Sequence, residues 1–374
     1  MKKLVVFMLL ACLVAVSFMG LGQTTAFAAD EAEPIKVKIG WAPPAVTGVF
    51  QTAFEYMEKA AEDAKAYGIE VEIITKSGEV ELDDATQIAN IENLVQSGCD
   101  VVMISPSNMA AVTPVINAAQ DAGVGIIVVN MLEKIDGANV DAYIGFDNKV
   151  AGQITGFAAL NACGGPGVLN EGDEKPDPET YLDLEWWEGL YADADLSEVT
   201  GKVAIIEGIA GSMYSNQRVE GVRESLALAE GVEEVQLIAA DWERQKAVSA
   251  AENILQANPE LDVIVAVSAE MEFGAIAAIE SAGRQDEVVV VGNDGTPESI
   301  EAINAGSLTA ETWHGFPEWG WYGVETAVKI ATGQPVEQLI DILPRTEYSH
   351  NADTFYPTPV LKALDWEGIL AAIG

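Results

Sequence analysis

Basic side chains are scarce in this sequence of 374 residues, which has 19 lysines and arginines against 59 aspartates and glutamates. The formal net charge is −40 at pH 7. A surface of this sign repels nucleic-acid phosphates and anionic lipid headgroups, so nucleic acid is excluded as a partner. So many carboxylates are typical of proteins that work in high salt, where screening relieves self-repulsion, although a solvated acidic surface has the same composition.

Histidine and cysteine are scarce as well. The two histidines, His314 and His350, are too few for a histidine metal cluster. Outside the N-terminal leader described below, the cysteines are Cys99 and Cys163, whose spacing matches no metal motif. We expect both thiols to be unpaired, and we expect neither a metal nor a cofactor.

Catalytic motifs are missing too. No strand is followed by GxGxxG, no loop ends in Gly-Lys-Ser/Thr, and Ser212 in "GIAGSMYS" does not stand in GxSxG. His314 as a catalytic base would need a nucleophile that the sequence does not offer. The sequence therefore argues against an enzyme, and recovery of unchanged ligand after long incubation would test this.

The single long apolar run lies at the N-terminus, after Lys2 and Lys3, and ends at the small-x-small site Ala26-Phe27-Ala28. We predict a signal peptide over residues 1–28 and an exported protein that is periplasmic or extracellular. The alternative is a lipoprotein box in "LLAC", which would anchor the chain through Cys12. Loss of the two leader lysines changes the net charge to −42.

Nine apolar runs of strand length alternate with amphipathic helical patterns. Most runs lack polar alternation, which is typical of strands buried on both faces of a parallel sheet. This alternation predicts an α/β fold with doubly wound parallel sheets. The predicted strands cover residues 35–42, 71–75, 100–106, 125–130, 141–146, 202–208, 235–240, 262–268 and 287–294.

An internal repeat predicts two similar lobes. Segments 100–130 and 262–294 each run strand, loop, helix, Ala-Gly turn and strand, and then reach a polar residue. Asn130 and Asp294 fall at matching places in the two segments. Two lobes of ordinary domain size also suit the length of the chain.

One segment, 163–201, does not follow this alternation of strands and helices. Its prolines, glycines and acids predict a long loop, within which "YLDLEWWEGLYA" can form a short helix. We expect Trp186 and Trp187 to pack against a lobe, with contact to a partner as the alternative.

Polar and aromatic side chains follow several of the predicted strands, where ligands of open parallel sheets bind. Flat rings with a few fixed hydrogen-bonding groups suit sugars, because C–H faces stack on rings and hydroxyls bond to carboxylates and amides. Thr296 is the better N-cap for the helix after Asp294, which leaves that carboxylate for a ligand. The predicted ligand-binding residues are Trp41, Asn130, Asn216, Trp242, Ser268, Asp294 and Trp313.

These segments resemble periplasmic sugar-binding proteins of the ribose-binding type, which serve ABC importers. "VVGNDGTPES" is similar to the family's second-lobe motif, and the resemblance implies that Asp294 holds sugar hydroxyls. "AADWERQKA" resembles a segment whose aromatic residue stacks on the sugar, which implies that role for Trp242. "IEGIAGSMYSNQRVEGV" resembles the helix-opening motif, "IIVVN" a first-lobe strand that ends in a sugar-binding aspartate, and "YIGFDN" the first hinge crossing.

The sequence departs from the ribose-binding pattern in ways that remove charge from the site. We therefore expect a small neutral sugar or polyol rather than ribose. The "ETWHGF" stretch is closer to relatives that bind deoxysugars or furanosyl quorum signals. The departures are Asn130-Met131 for Asp-Arg, Asn216 for a ligand-binding Arg (with Arg218 matching a structural residue), Ser268-Ala269 for Asn-Asp, and Gly315 for Gln.

The resemblance implies two similar doubly wound lobes joined by a three-crossing hinge, which a ligand closes. It places Asp147 and Gly315 in the hinge. The implied lobe one comprises residues 34–146 and 315–340, and lobe two comprises residues 147–314 and 341–374.

The resemblance also implies a monomeric extracytoplasmic protein that delivers its ligand to the membrane permease of an ABC importer. The alternative is the ligand-binding component of a chemotaxis or quorum-signal sensing system for a furanosyl autoinducer. A transcriptional regulator with the same core is disfavoured by the negative charge.

Overall fold

The computed structural model describes residues 33–45, 48–78 and 83–374. The predicted signal peptide 1–28 and Cys12 lie outside the described residues. Within them, Cys99 and Cys163 are both free thiols, as predicted.

The first sheet is parallel throughout and forms the centre of lobe one. Every residue of its central strand Val101–Ile104 is buried, because helices cover both faces. This burial explains why the strand sequences are continuously apolar. In spatial order the strands are β11 (Leu339–Asp341), β5 (Ala142–Gly145), β4 (Gly125–Val129), β3 (Val101–Ile104), β1 (Ile35–Ala42) and β2 (Ile69–Thr75).

The second sheet repeats this order and forms the centre of lobe two. All its pairings are parallel except the one between its first two strands, which is antiparallel. The two-lobed α/β prediction and the nine predicted strands are thereby confirmed. In spatial order the strands are β12 (Arg345–Tyr348), β10 (Ala310–Trp313), β9 (Val289–Asp294), β8 (Val263–Ala266), β6 (Thr200–Glu207) and β7 (Gly231–Ala239).

Helices fill the connections between strands, and their apolar stripes face the sheets. A 3₁₀ turn lies at Ala352–Thr354. The helices are α1 (Gly48–Lys65), α2 (Asp84–Gln96), α3 (Met109–Asp121), α4 (Asn148–Ala162), α5 (Leu184–Tyr191), α6 (Met213–Leu226), α7 (Arg244–Ala257), α8 (Ala269–Ala282), α9 (Pro297–Ala305), α10 (Phe316–Ala331) and α11 (Trp366–Ile373).

Two helices show where the chain changes lobe. Helix α4 packs on α6 of lobe two, and Gly152 lies against the Arg218 carbonyl so closely that a Cβ would overlap it. Helix α10 packs on α1 of lobe one, where Gly320 lies equally close to the Ala53 carbonyl. The chain therefore passes to lobe two before α4 and returns to lobe one before α10.

Asp147 and Gly315 lie at these two crossings. The Asp147 carboxylate caps α4, accepting hydrogen bonds from the Lys149 and Val150 amides at 2.8 and 3.1 Å. Gly315 has φ +72°, and a Cβ there would overlap Ile342. Ile342 lies between β11 and β12, where the chain crosses to lobe two again. The left-handed conformation and the lack of space both favour glycine at this position.

The C-terminal segment crosses between the lobes once more. After β12 and the 3₁₀ turn in lobe two, the chain returns, and Trp366 Nε1 donates to Asp63 Oδ2 of α1 at 2.7 Å. Trp321 Nε1 on α10 donates to the Lys362 carbonyl at 2.8 Å. The prediction that all of 341–374 belongs to lobe two is therefore wrong for α11, whose apolar face is buried on lobe one.

The 163–201 segment contains a helix, as predicted. Trp187 on α5 is fully buried, its Nε1 donates to Thr346 Oγ1 at 2.9 Å, and its ring stacks on Phe157 at 5.9 Å between centroids. Trp186 is partly buried against the same core. The expectation that these rings pack against a lobe is confirmed.

Candidate functional site

Asp294 ends β9 with φ 157° and is 7% exposed. Its Oδ2 accepts a hydrogen bond from the Ala269 amide at 2.9 Å, and its Oδ1 lies 3.1 Å from Arg218 Nη1. Thr296, not Asp294, caps α9, and its Oγ1 accepts from the Ser299 amide at 3.1 Å. The carboxylate therefore does not cap α9, as predicted, but it is not left free, because its Oδ2 accepts the hydrogen bond from the first amide of α8.

Arg218 holds the position beside Asp294 that the sequence assigned to Asn216. Its guanidinium is buried and also donates to Asn148 Oδ1 at 2.9 Å and to the Val267 carbonyl at 2.8 Å. Asn216 is exposed and lines a surface groove on the outside of α6. Residues two apart on a helix face different directions, so only one of the two side chains can reach the site.

Two aromatic rings flank this guanidinium. The Trp242 ring centroid lies 5.6 Å from Arg218 Cζ, and the Phe146 centroid lies 5.7 Å from it. Trp242 has φ 65° and its ring covers Gly208, where a Cβ would overlap the indole. The predicted stacking residue therefore lies beside the ion pair, together with Phe146, which the sequence reading had not singled out.

His314, not Trp313, contacts Asp294. Its Nδ1 lies 3.3 Å from Asp294 Oδ1, and its ring stacks on Phe146 at 3.9 Å between centroids. Burial, with a smaller effect from the Arg218 charge, lowers the pKa of His314 to about 4.

Trp313 pairs with Asp294 in the sheet register, but its side chain points into the lobe-two core. It packs on Phe355 and Tyr356 at 4.9 and 5.3 Å between centroids, and its Nε1 donates to Glu318 Oε1 at 3.3 Å. Adjacent residues of an extended strand face opposite ways, which explains why its neighbour His314 takes the site position.

Lobe one contributes Trp41 and Asn130 at the carboxyl ends of β1 and β4. Trp41 is fully buried, in the same apolar cluster as Phe146. Asn130 has φ 74°, the left-handed region that asparagine tolerates better than most residues. Such a conformation at a strand end is typical of functional sites.

On Trp41, Asn130, Ser268 and His314, five buried polar atoms have no hydrogen-bond partner among the residues that the structure describes. Ser268 belongs to this set, because it precedes α8 without capping it. Leaving a buried donor or acceptor unsatisfied costs about 1–3 kcal/mol, so a polar ligand would gain by meeting them. The atoms are Trp41 Nε1, Asn130 Oδ1, Ser268 Oγ and both ring nitrogens of His314.

The two lobes touch near this site. Tyr214 of α6 donates its hydroxyl to the Pro106 carbonyl of lobe one at 3.2 Å, and Gln217 Nε2 donates to Glu133 Oε2 at 2.8 Å. The carboxyl ends of both sheets therefore face a shared interface, with the Asp294–Arg218 pair on the lobe-two side.

A family model of the periplasmic binding protein domain matches residues 39–335. The chain belongs to this family. The D-ribose/D-allose-binding protein of Pseudomonas aeruginosa is 27% identical over 77% of this chain and 82% of that protein. The D-allose-binding periplasmic protein of Escherichia coli is 30% identical over 68% of this chain and 72% of that protein.

This periplasmic binding protein also shares its fold with solved structures. A periplasmic solute-binding protein of an ABC transporter from Actinobacillus succinogenes, with bound D-allose, superposes with a TM-score of 0.72 at 22% identity. The match covers 85% of this chain and 100% of that one. The resemblance to the ribose-binding type is thus confirmed at the level of family and fold.

Three carboxyls are buried behind the site of this periplasmic binding protein. Glu311 on β10 lies opposite Glu347 on β12, and Glu272 on α8 reaches over Gly292 of β9. Ser299 Oγ donates to Glu272 Oε1 at 2.8 Å. Burial raises the pKa of all three carboxyls, that of Glu311 to about 7, and their mutual repulsion raises those of Glu272 and Glu347 further.

In the part of the chain that the structure describes, no group of three or more His, Cys, Asp or Glu side chains is arranged to hold a metal ion. None of the helices described there is long and apolar enough to cross a membrane.

Proposed function

We propose that this periplasmic binding protein captures a small neutral sugar or polyol between its lobes and delivers it to the membrane permease of an ABC importer. The observation that carries the proposal is the buried Asp294–Arg218 pair at the lobe junction. A carboxylate accepts hydrogen bonds from hydroxyls, and a guanidinium donates to them. Because the two charges cancel, the pair favours an uncharged ligand over an anion or a cation.

The aromatic surroundings support the same ligand class. Trp242 offers a flat, partly exposed ring beside Arg218, on which the C–H face of a sugar ring can stack. Trp41 and Asn130 extend the predicted site into lobe one, so that neither lobe completes it alone. The names of the relatives, which specify ribose and allose, agree with a sugar as the ligand.

Delivery to a permease requires that the ligand be released unchanged and that the protein act outside the cytoplasm. The predicted signal peptide, with Cys12 anchoring as the alternative, fits export. We propose a monomer, because each chain contains both halves of the site.

Binding is the first test. The purified protein is screened by thermal shift against D-ribose, D-allose, myo-inositol, D-fucose and glycerol, and hits are measured by calorimetry. A ligand at 100 times its dissociation constant adds roughly 2.7 kcal/mol to the free energy of unfolding. Ligand recovered after long incubation should be chemically unchanged. A protein that binds none of these compounds, or converts one of them, contradicts the proposal.

Asp294→Asn tests the site itself. The amide keeps the size of the side chain but loses the charge, and charge-assisted hydrogen bonds are roughly twice as strong as neutral ones. We expect affinity for the best sugar to fall about a hundredfold, from about 2–3 kcal/mol of lost hydrogen bonding.

The matched control is Asp286→Asn, an exposed aspartate near the start of the same strand. It should bind like the unsubstituted protein. Because Asp294 also neutralises Arg218, the melting temperature of each variant is measured alongside. Unchanged affinity in a folded Asp294→Asn variant would place the sugar elsewhere.

A further inference from the structure

The C-terminal segment joins the lobes a fourth time, in addition to the three crossings of the hinge. Phe355 and Tyr356 are buried in the apolar core of lobe two, whereas Leu364 and Trp366 are buried in that of lobe one. Residues 357–361, the C-terminal tether, connect these two cores.

The tether begins at a well-packed anchor in lobe two. The rings of Phe355 and Tyr356 pack on Trp313 of β10, at 4.9 and 5.3 Å between centroids. Asn351 fixes the preceding turn, because its Oδ1 accepts a hydrogen bond from the Tyr348 amide of β12 at 2.8 Å. This end of the tether therefore moves with the lobe-two sheet.

The tether ends on helix α10 of lobe one. The Lys362 amide donates to the Tyr322 hydroxyl at 3.1 Å, and the Lys362 carbonyl accepts from Trp321 Nε1 at 2.8 Å. The Asp365 amide donates to Glu325 Oε1 at 3.0 Å, one turn further along the helix. This end of the tether therefore moves with lobe one.

The tether itself is short and is exposed or half-exposed along its length. Val360 is 72% exposed, and within the described part of the chain no hydrogen bond joins residues 357–361 to either lobe. From Tyr356 to Lys362 the backbone can span at most about 20 Å. The distance between the two anchors therefore has an upper limit.

This limit matters because one anchor lies away from the hinge. Tyr322 is about 10 Å along α10 from Gly315, so rotation of the lobes about the crossings changes the distance between the anchors. The tether fits the arrangement seen here, in which Tyr214 and Gln217 of lobe two contact lobe one. It can therefore exclude only arrangements in which the anchors lie farther apart.

We propose that the C-terminal tether limits how far the lobes separate when no ligand is bound, and that it thereby raises the affinity for the ligand. The second part rests on the proposed function, since it assumes that a sugar binds between the lobes. A ligand shifts the population toward the closed arrangement, and a smaller range of open arrangements leaves less conformational freedom to lose on closure.

Lengthening the tether tests this without changing any packed residue. Gly-Ser segments of three, six or twelve residues are inserted after Val360, and the same segments after Gln285, in an exposed turn of lobe two, are the matched controls. Melting temperatures establish that each variant is folded. The ligand-free radius of gyration, measured by solution scattering, should rise with the length of the tether insertion and exceed that of the control of equal length.

Affinity is the second readout, measured with whichever of D-ribose, D-allose and myo-inositol binds the unsubstituted protein most tightly. Effective concentration falls roughly as the −3/2 power of linker length. The six-residue insertion about doubles the tether and should weaken binding about threefold, and the twelve-residue insertion about sixfold. The controls should bind like the unsubstituted protein. With sugar bound, the radius of gyration should be the same for tether and control insertions, because the closed arrangement does not stretch the tether.

Two results would overturn the proposal. Ligand-free scattering that is equal for tether and control insertions at every length refutes the restraint on the lobes. An affinity that does not depend on tether length refutes its contribution to binding and leaves the proposed function standing. Failure of the unsubstituted protein to bind any of the three compounds refutes the proposed function instead, and the ligand-free scattering still decides whether the tether restrains the lobes.

Discussion

At the scale of single residues, Arg218 links three elements of lobe two, because its guanidinium donates to Asn148 on α4, to the Val267 carbonyl after β8 and to Asp294 on β9. A lysine has one ammonium at the end of a flexible stem and cannot span these directions.

We expect Arg218→Lys to lower the free energy of unfolding by about 1–3 kcal/mol, since at least one buried acceptor is left unsatisfied. Sugar affinity should fall as well. Denaturant unfolding and calorimetry measure the two effects. Arg223→Lys, at an exposed position on the same helix with Glu234 as its partner, is the control and should change neither by much. Equal effects of the two substitutions would count against the role of Arg218.

Residue identity was easier to predict from the sequence than side-chain direction. Asp294 and Trp242 follow strands in recognisable motifs, and both lie at the ion pair. Asn216 and Trp313 also stand in such motifs, yet their side chains face away. Asn216 lies on a different face of α6 from Arg218, and the side chain of Trp313 points to the opposite side of its strand from that of His314. Which residues share a face depends on where the element begins, and element boundaries are what a sequence predicts least accurately.

At the scale of elements, the buried carboxyls of β10, β12 and α8 tie the stability of lobe two to pH. Glu311 and Glu347 are buried and face each other in register, so the two carboxyls do not both ionise easily and at least one is protonated. A carboxyl whose pKa is raised on folding contributes its full stability below its unfolded pKa. That contribution is lost as the pH rises from the pKa of the carboxyl in the unfolded chain to its pKa in the folded protein, which for Glu311 is from about 4.3 to about 7.

Glu311→Gln tests this dependence. The amide resembles the protonated carboxyl but cannot ionise, so the variant should be more stable than the unsubstituted protein at pH 8 by roughly 1–3 kcal/mol. The two should differ little at pH 4.5. Urea unfolding at both pH values measures the difference, with exposed Glu301→Gln as the control. A variant that is less stable at pH 8 would mean that the ionised carboxylate contributes a favourable contact.

Strands β10 and β11 were not predicted from the sequence. The nine predicted strands are apolar because helices cover both faces of the sheets. Strand β10 contains Glu311 and Thr312, both buried, and a buried glutamate looks like a loop residue in a sequence. Strand β11 has three residues, too few to show a pattern.

At the scale of the whole molecule, the proposed function requires movement of one lobe relative to the other. The contacts of Tyr214 with Pro106 and of Gln217 with Glu133 hold the lobes together in this structure. A ligand shifts the population toward such a state only through contacts that the state makes available.

We therefore expect the radius of gyration, measured by solution scattering, to fall when the tightest-binding sugar is added. Tryptophan fluorescence should change with the same concentration dependence, since Trp41 and Trp242 lie in the predicted site. Asp294→Asn at the same sugar concentration should show neither change. If a tight ligand left the scattering profile unaltered, the site would have to function without lobe movement.

The return of the C-terminal helix to lobe one has a practical consequence for optical reporters. Ile35 begins β1 and Ile373 ends α11, so both ends of the described chain lie on the same lobe. Two fluorophores attached there would move as one body, and energy transfer between them would not sense ligand. A reporter of closure needs one label on lobe two, for which Tyr181 in the loop before α5 offers an exposed position.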